Sequence, residues 1–433
     1  MSLEELYEKV INSKFTLCVL GLGRVGFPLS IVFANKGVNT IGVDIDKEKI
    51  GKIRSGEIPF KGKDMDLYLK SAIQSGTFEV TTDLRDAVKR SDICILTVGT
   101  PVDRNLQPDY SQLRSVLENL VTCDLRDKII VIRSTSKPGT LEDIVQPFIE
   151  DKTGLIMGQD FGLAACPERI LEGKAIQEIQ ELPEIVGSNN GLSKIIVGET
   201  FKKVNPNKKI IFTKPKIAEL SKLFTNVYRY VNFALANEFG ILAEEYGEDG
   251  FEAIRVANNE YKRGGIPLPG LAGGPCLSKD GYLLIKDNLY ADFILMAWRL
   301  NETIPNYILN RIKDELRKSN KKLYKTKIGI LGASFKSGSD DLRYSPPLKL
   351  ADVLRNDGAI VKIHDPNLNN TESLEEILRC DIVIHAMNHK EFIGIEDKIE
   401  SSECKIVLDC WGVFDSKKFK RVKYIGFGKG NIQ

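Results

Sequence analysis

The stretch Phe15-Thr16-Leu17-Cys18-Val19-Leu20-Gly21-Leu22-Gly23-Arg24-Val25-Gly26 decides the fold. It opens as an apolar run too short for a helix and passes directly into GxGxxG, the spacing of a turn from a strand into a helix. A helical stretch through Leu29 to Ala34 and a second short strand, Thr40 to Asp44, follow. Strand, helix, strand in this order reads as the repeating unit of a parallel sheet. Gly21 permits the tight turn, Gly23 lets backbone approach a pyrophosphate, and Gly26 lets the helix pack closely, so the turn with Arg24 and Val25 cradles the anion at a helix N-terminus. Asp44 lies eighteen residues beyond Gly26, where a carboxylate accepts from a ribose 2′-hydroxyl and repels a 2′-phosphate. The cofactor these residues suit is NAD rather than NADP.

Outward from this unit, Asp92 to Val98 and Lys128 to Thr135 are further short apolar runs bounded by turn residues, as expected of buried parallel strands. Between Pro183 and Lys216 the periodic signal is weak. Lys216 to Tyr246 then reads as one long helix and Ile294 to Lys318 as another, with a glycine- and proline-rich segment, Gly264 to Gly274, between them. A loop of that length is expected to carry function. Strand rhythm returns at Lys327 to Leu331, Ile360 to His364, Asp381 to His385 and Lys405 to Asp409. The expected fold is α/β: two Rossmann-like, doubly wound parallel-sheet domains joined by a central helical region with one long helix. The expected boundaries are 1–205 for the NAD-binding domain, 206–320 for the helical region and 321–433 for the second sheet domain.

The bulk composition excludes several classes. The chain has 433 residues, 61 basic and 59 acidic, for a net charge of +2, so no global field draws it to nucleic acid or to an anionic membrane. Basic clusters such as Lys417, Lys418, Lys420 and Arg421 lack interleaved aromatics and read as solvated faces. Eight scattered cysteines without a CxxC pair suit a reducing cytoplasm. Met1 to Lys14 reads as a short amphipathic helix rather than a signal peptide. Of the three histidines, His385 and His389 are four apart but follow a strand, so their spacing does not make a metal site and no metal is expected.

Three stretches offer chemistry. In Gly273-Gly274-Pro275-Cys276-Leu277-Ser278-Lys279-Asp280, glycines bring backbone close to a ligand, and a thiol is flanked by a cation and a carboxylate. That setting favours a nucleophilic thiolate, although a cysteine taken alone is more often a small buried hydrophobe. Lys222 and Asn226 are four apart and share a helix face. Alone they would read as solvent-facing. Cys166-Pro167-Glu168-Arg169-Ile170-Leu171-Glu172-Gly173 places two carboxylates and an arginine after a strand-like segment, where a charged helix start is the plain alternative.

Taken with Val98-Gly99-Thr100-Pro101, Ser134-Thr135, Pro138-Gly139-Thr140, Ser334-Phe335-Lys336, Asp341, Arg343, Ser345 and Pro346, these pieces resemble the nucleotide-sugar 6-dehydrogenases, the UDP-glucose and UDP-N-acetylmannosamine dehydrogenase family. The motifs run in order along almost the whole chain. The resemblance implies oxidation of a C6 primary alcohol of a UDP-sugar to a carboxylate, with two NAD reduced and no free aldehyde. It implies Lys222 and Asp280 as partners in deprotonating the alcohol and Cys276 as the nucleophile. It further implies Glu168 as an aid to later proton transfers, Asn226 with Lys222 as oxyanion stabilisers, and Thr135 as a water anchor. Thr100 and Thr135 join the cofactor site by the same resemblance, and Glu168, Arg169, Lys222, Asn226, Arg263, Lys336 and Arg343 the substrate site.

The second sheet domain would hold the UDP, Arg263 would reach a neighbouring active site, and the long helix would build a homodimer or a dimer of dimers. Pro167-Glu168-Arg169-Ile170 with Gly173 is similar to the N-acetylhexosamine branch, favouring UDP-N-acetylmannosamine over UDP-N-acetylglucosamine and UDP-glucose. The sequence departs from its relatives at Pro59-Phe60-Lys61-Gly62, where an acidic turn is usual, and at Glu172, where many hexosamine enzymes have proline.

Overall fold

The apolar run before the glycine turn forms β1 (Thr16–Leu20), an interior strand of an eight-stranded sheet. The structure is a computed structural model describing residues 2–103, 107–285 and 291–430. The chain divides into two units, Met1–Thr225 with Tyr282–Lys286, and Asn226–Gly281 with Asp287–Gln433.

In the first unit β1 is joined by β2 (Asn39–Val43), β3 (Phe78–Thr81), β4 (Ile93–Leu96), β5 (Ile129–Ile132), β6 (Gly162–Ala165), β7 (Glu184–Gly187) and β8 (Ile210–Thr213), in the spatial order β3-β2-β1-β4-β5-β6-β7-β8. Neighbours pair in parallel except β6 with β7. The central strands are apolar throughout because both faces are covered. Leu17, Val19, Ile93 and Ile95 enter one core, while Cys18, Leu20, Cys94 and Leu96 enter the other, the alternation a strand imposes. The expected N-terminal helix is Leu3–Ile11; Ser2 and Glu5 close a capping box, and Leu3, Leu6 and Val10 enter the first core.

The weak stretch after Pro183 holds β7, the helix Gly191–Lys202 and β8. Its strands are four residues long, and β8 is an edge strand whose middle residues, Ile211 and Phe212, are exposed.

In the second unit β9 (Lys327–Leu331), β10 (Ile360–His364), β11 (Ile382–His385), β12 (Ile406–Asp409) and β13 (Lys423–Gly426) form an all-parallel sheet in the order β10-β9-β11-β12-β13. The helix Asp292–Lys318 packs Ile304, Ile308, Ile312 and Leu316 with Ile328 and Ile330 of β9, and Pro305 sits within it. Each sheet reverses its strand order once, at β1/β4 and at β9/β11. Ligands of such sheets bind where the loops leaving the two strands diverge. Among the described residues, no helix is long and apolar enough to cross a membrane.

Candidate active site

The first reversal point carries the glycine turn, and its three glycines divide the work as their positions require. Gly21 has φ +103°. A methyl on Gly26 would sit 2.0 Å from the Gly21 carbonyl oxygen, whereas one on Gly23 would meet nothing within 4 Å. The helix start is therefore packed against the turn while the face at Gly23 stays open, the space a pyrophosphate needs. The loop leaving β4 supports the turn: Thr97 donates its hydroxyl to the Gly21 carbonyl at 2.6 Å, and the Thr100 hydroxyl donates to the Thr135 carbonyl.

Asp44, nearly buried at the end of β2, accepts from the Leu22 amide at 2.9 Å and from Lys49 Nζ at 2.8 Å. Arg24 pairs with Glu172 at 2.8 Å and lies over the Phe60 ring at 5.0 Å. The two positions at which the sequence departs from its relatives thus meet on one arginine of the glycine turn.

Glu168 is buried at the end of the β6 loop. It accepts from Arg133 Nε at 2.5 Å and from the amides of Arg169 and Ile170 at 2.6 and 2.8 Å. Burial opposes its charge, but Arg133 and those amides prevail and hold its carboxyl below the ordinary range. It is therefore ionised at neutral pH. Arg133 also pairs with Glu184 at 2.9 Å, whose carboxyl burial pushes above the ordinary range against the pull of Arg133. Arg169 donates to the Pro183 carbonyl.

The helix Pro215–Glu245 presents Glu219, Lys222 and Asn226 on one face, all buried. Glu219 accepts from the Gly139 amide at 2.6 Å, the Leu141 amide at 3.0 Å and the Ser136 hydroxyl at 3.4 Å. Burial pushes its carboxyl up to about 7, with the amides pulling the other way. It fastens the helix of Lys222 to the loop that follows Thr135. Sequence reading missed Glu219, Arg133 and Glu184, because a single charged residue on a helix or strand carries no spacing signal. Gly139, with φ +97° beside the carboxylate, was the visible half of the Glu219 contact.

In the second unit Cys276 immediately precedes the helix Leu277–Ile285. It is the exposed one of the eight cysteines; the others are buried or half-buried. Asp280, one turn on and 1% exposed, accepts from Asn226 Nδ2 at 2.6 Å and pairs with Lys279 at 3.1 Å. Trp298 Nε1 donates to the Ser278 carbonyl at 3.0 Å, holding the cysteine turn from behind. Gly274 has φ +101°, and a methyl there would stand 2.4 Å from the Phe335 ring. A methyl on Gly273 would stand 2.5 Å from Pro346. The cysteine turn is thereby seated on the 335–346 segment, which leaves β9 and carries Lys336 and Arg343. Arg343 is bound by Asp341 through Nε and Nη2, at 3.0 and 2.6 Å. Arg263 is exposed, over the Tyr261 ring at 5.1 Å.

Two of the three histidines are fully buried against aspartates, His385 with Asp409 and His389 with Asp365, each at 3.0 Å. Among the described residues, no group of three or more His, Cys, Asp or Glu could hold a metal ion.

Sequence models of a single family match the NAD binding domain over residues 15–205, the central domain over 216–303 and the UDP binding domain over 329–425. A UDP-N-acetyl-D-mannosamine dehydrogenase of Pyrococcus horikoshii is 34% identical, over 96% of this chain and all of its own length. The chain belongs to the UDP-glucose/GDP-mannose dehydrogenase family. It is an NAD-dependent UDP-sugar dehydrogenase. A second relative, the UDP-N-acetyl-D-mannosamine dehydrogenase of Methanococcus vannielii, is 31% identical over 95% of this chain and 97% of its own. The solved structure of the Pyrococcus horikoshii UDP-N-acetylmannosamine dehydrogenase superposes with a TM-score of 0.91 at 33% identity, covering 96% of this chain and all of that one. In the terms of this family, the glycine turn and Asp44 lie within the NAD binding domain, and Lys336 and Arg343 within the UDP binding domain.

Proposed function

We propose that this chain oxidises the C6 hydroxyl of UDP-N-acetyl-D-mannosamine to the carboxylate, giving UDP-N-acetyl-D-mannosaminuronate through a covalent intermediate on Cys276. The observation that carries the reading is the setting of that thiol. It is exposed at a helix start, where the aligned amides favour negative charge on sulfur, and one turn from a buried carboxylate bonded to Asn226.

Gly21, Gly23, Gly26 and Asp44 would hold NAD, which would supply the hydride acceptor, one for each of the two oxidations. Asp280, with Lys222, takes the hydroxyl proton as the alcohol becomes an aldehyde. Cys276 Sγ then bonds to C6 while the carbonyl oxygen gains a proton, giving a thiohemiacetal. Loss of a hydride from C6 and of the hydroxyl proton leaves a thioester. Water adds and the C–S bond breaks, giving the carboxylate, the Cys276 thiolate and two protons. Lys222 and Asn226 stabilise the negative oxygen at each stage. Glu168, kept ionised by Arg133, accepts the proton of the attacking water, and Thr135 anchors that water.

The names of the Pyrococcus horikoshii and Methanococcus vannielii relatives support the mannosamine sugar, as does the Pro167-to-Gly173 stretch. The test compares UDP-N-acetylmannosamine, UDP-N-acetylglucosamine and UDP-glucose at limiting sugar. Two NADH per UDP-N-acetylmannosamine, with the other sugars turned over far more slowly, is expected. One NADH per sugar sinks the covalent scheme, and preference for another sugar sinks the substrate assignment. Cys276→Ala is expected to abolish uronate formation while NAD binding persists.

A homodimer is part of the proposal. Ile217, Phe224, Tyr228, Leu235 and Leu242, along Pro215–Glu245, and Tyr246 just past its end recur at spacings of seven and four, each at least 41% exposed. They form one apolar stripe opposite the face of Glu219, Lys222 and Asn226. Exposed Arg263 is available to serve a neighbouring subunit's site.

A further inference from the structure

We propose that His389 is a positioning residue for the UDP end of the substrate, holding closed the loop that carries Lys336. The inference rests on the reading that Lys336 contacts the UDP, and it adds a residue that no spacing or motif singles out for that task.

The loop leaves β9 at its reversal point with β11, and His389 lies in the loop that leaves β11. That crevice is where a sheet of this order binds its ligand. His389 is fully buried, and both of its ring nitrogens are engaged. Nδ1 receives the Gly338 amide at 3.1 Å and the Asn367 side-chain amide at 3.0 Å. A backbone N–H can only donate, so Nδ1 carries no proton. The single ring proton is therefore on Nε2, which faces Asp365 Oδ2 at 3.0 Å and Ser334 Oγ at 3.2 Å. The tautomer follows from the amide of Gly338.

Asp365 completes the frame. Its Oδ2 also accepts from the amides of Ala333 and Ser334 at 2.8 and 3.0 Å, and its Oδ1 accepts from the Asn367 amide at 2.8 Å. The near end of the loop is thus fastened by Asp365 and the far end, at Gly338, by the imidazole that Asp365 orients. Between them the Ser334 hydroxyl donates to the Lys336 carbonyl at 3.0 Å, and the Ser339 amide donates to the same carbonyl at 3.2 Å. Lys336 sits at the crest of a loop whose two ends converge on one buried ring. Gly338 is itself exposed, with φ +72°, so the ring reaches from the interior to hold a surface turn. His385 differs: its Nδ1 meets Asp409 at 3.0 Å and its ring stacks on Phe414 at 4.6 Å. It is a buried histidine–aspartate pair in the same sheet without the loop, and therefore a control.

The test is calorimetric titration of UDP into the full-length protein, with steady-state kinetics alongside. Lys336→Met is expected to weaken UDP binding, which checks the underlying reading separately. His389→Leu leaves the Gly338 amide and Asp365 without their partner, and a buried group so stranded costs enough to weaken UDP about tenfold. The expected signature is a raised KM for the UDP-sugar, with kcat and the KM for NAD near wild type. His389→Asn can return one acceptor toward Gly338 and is expected to recover part of the affinity. His385→Asn is expected to lower the melting temperature without changing UDP affinity. If Lys336→Met weakens UDP while His389→Leu binds it as wild type does, the role of His389 is overturned and the Lys336 reading stands. If Lys336→Met has no effect, that reading falls and the proposal with it. Equal losses of UDP affinity in His385→Asn and His389→Leu would reduce His389 to general support of the fold and overturn the proposal.

Discussion

Two carboxylates, Asp44 and Glu219, show how the same group is given different work by its neighbours. Asp44 stays where a ribose is expected and is held by the Leu22 amide and Lys49. Asp44→Ala removes both the acceptor and the charge that repels a 2′-phosphate, and leaves Lys49 in place to attract one. The expected outcome is NAD bound about tenfold more weakly, the scale of a lost charged hydrogen bond, and a raised NADP-to-NAD ratio in kcat/KM. An unchanged ratio would show that Asp44 does not discriminate.

Glu219 is dominated by burial, which raises its carboxyl from 4.5 to about 7. The folded state therefore retains a proton that the unfolded chain has released between those values. The contribution of this group to stability is full below pH 4.5, falls as pH rises toward 7, and is constant beyond. The change across that window is on the order of 3 kcal/mol. Glu219→Gln does not titrate, so denaturant unfolding at pH 5 and pH 8 should show the variant losing less stability with rising pH than wild type. Parallel slopes for the two proteins would refute the assignment. Glu168 runs the other way: its lowered carboxyl stabilises the fold above its unfolded value, and that contribution is lost as pH falls.

At the scale of elements, the cysteine turn and the 335–346 segment are fitted to each other by two glycines. Gly274→Ala sets a methyl against the Phe335 ring at a positive φ, an overpacking and backbone strain of about 1–3 kcal/mol. Its kcat/KM should fall with a lower melting temperature, whereas Gly265→Ala, at a positive φ with nothing within 4 Å, should leave kcat/KM near wild type. Equal kinetics in both variants would show that the seating is without consequence. The glycine turn and the Cys276 loop stood out in the sequence because their residues lie in local spacing, whereas Lys222 and Asn226 alone read as solvent-facing and are in fact buried. Arg133 with Glu168, Glu219 with Gly139 and His389 with Ser334 did not stand out, since each pair joins residues 35, 80 and 55 positions apart. Only the strand order brings them together. The same distinction explains the strands: buried β1, β4 and β5 announce themselves by apolar runs, whereas β7 and the exposed edge strand β8 do not.

For the whole molecule the question is what covers the long helix. Its exposed stripe from Ile217 to Tyr246 extends for about 44 Å at 1.5 Å per residue, and its side chains fall within a narrow arc at spacings of seven and four. Such a face on a helix whose opposite side carries Lys222 and Asn226 is costly to leave in water. A second copy of the chain offers the same stripe, and self-complementary contact about a two-fold axis closes without leaving an open surface. Replacing Tyr228 and Leu235 together by glutamate places like charges at the centre of that contact, where both copies would bury them unpaired. Sedimentation should find wild type as a dimer or a multiple of one, and the double variant as a monomer with its circular dichroism intact. Because the two residues lie away from the face of Lys222 and Asn226, a monomer with diminished turnover would show that the neighbouring subunit completes the site, as the exposed position of Arg263 allows. A wild-type monomer would remove the dimer, and with it any role for Arg263 in a neighbour.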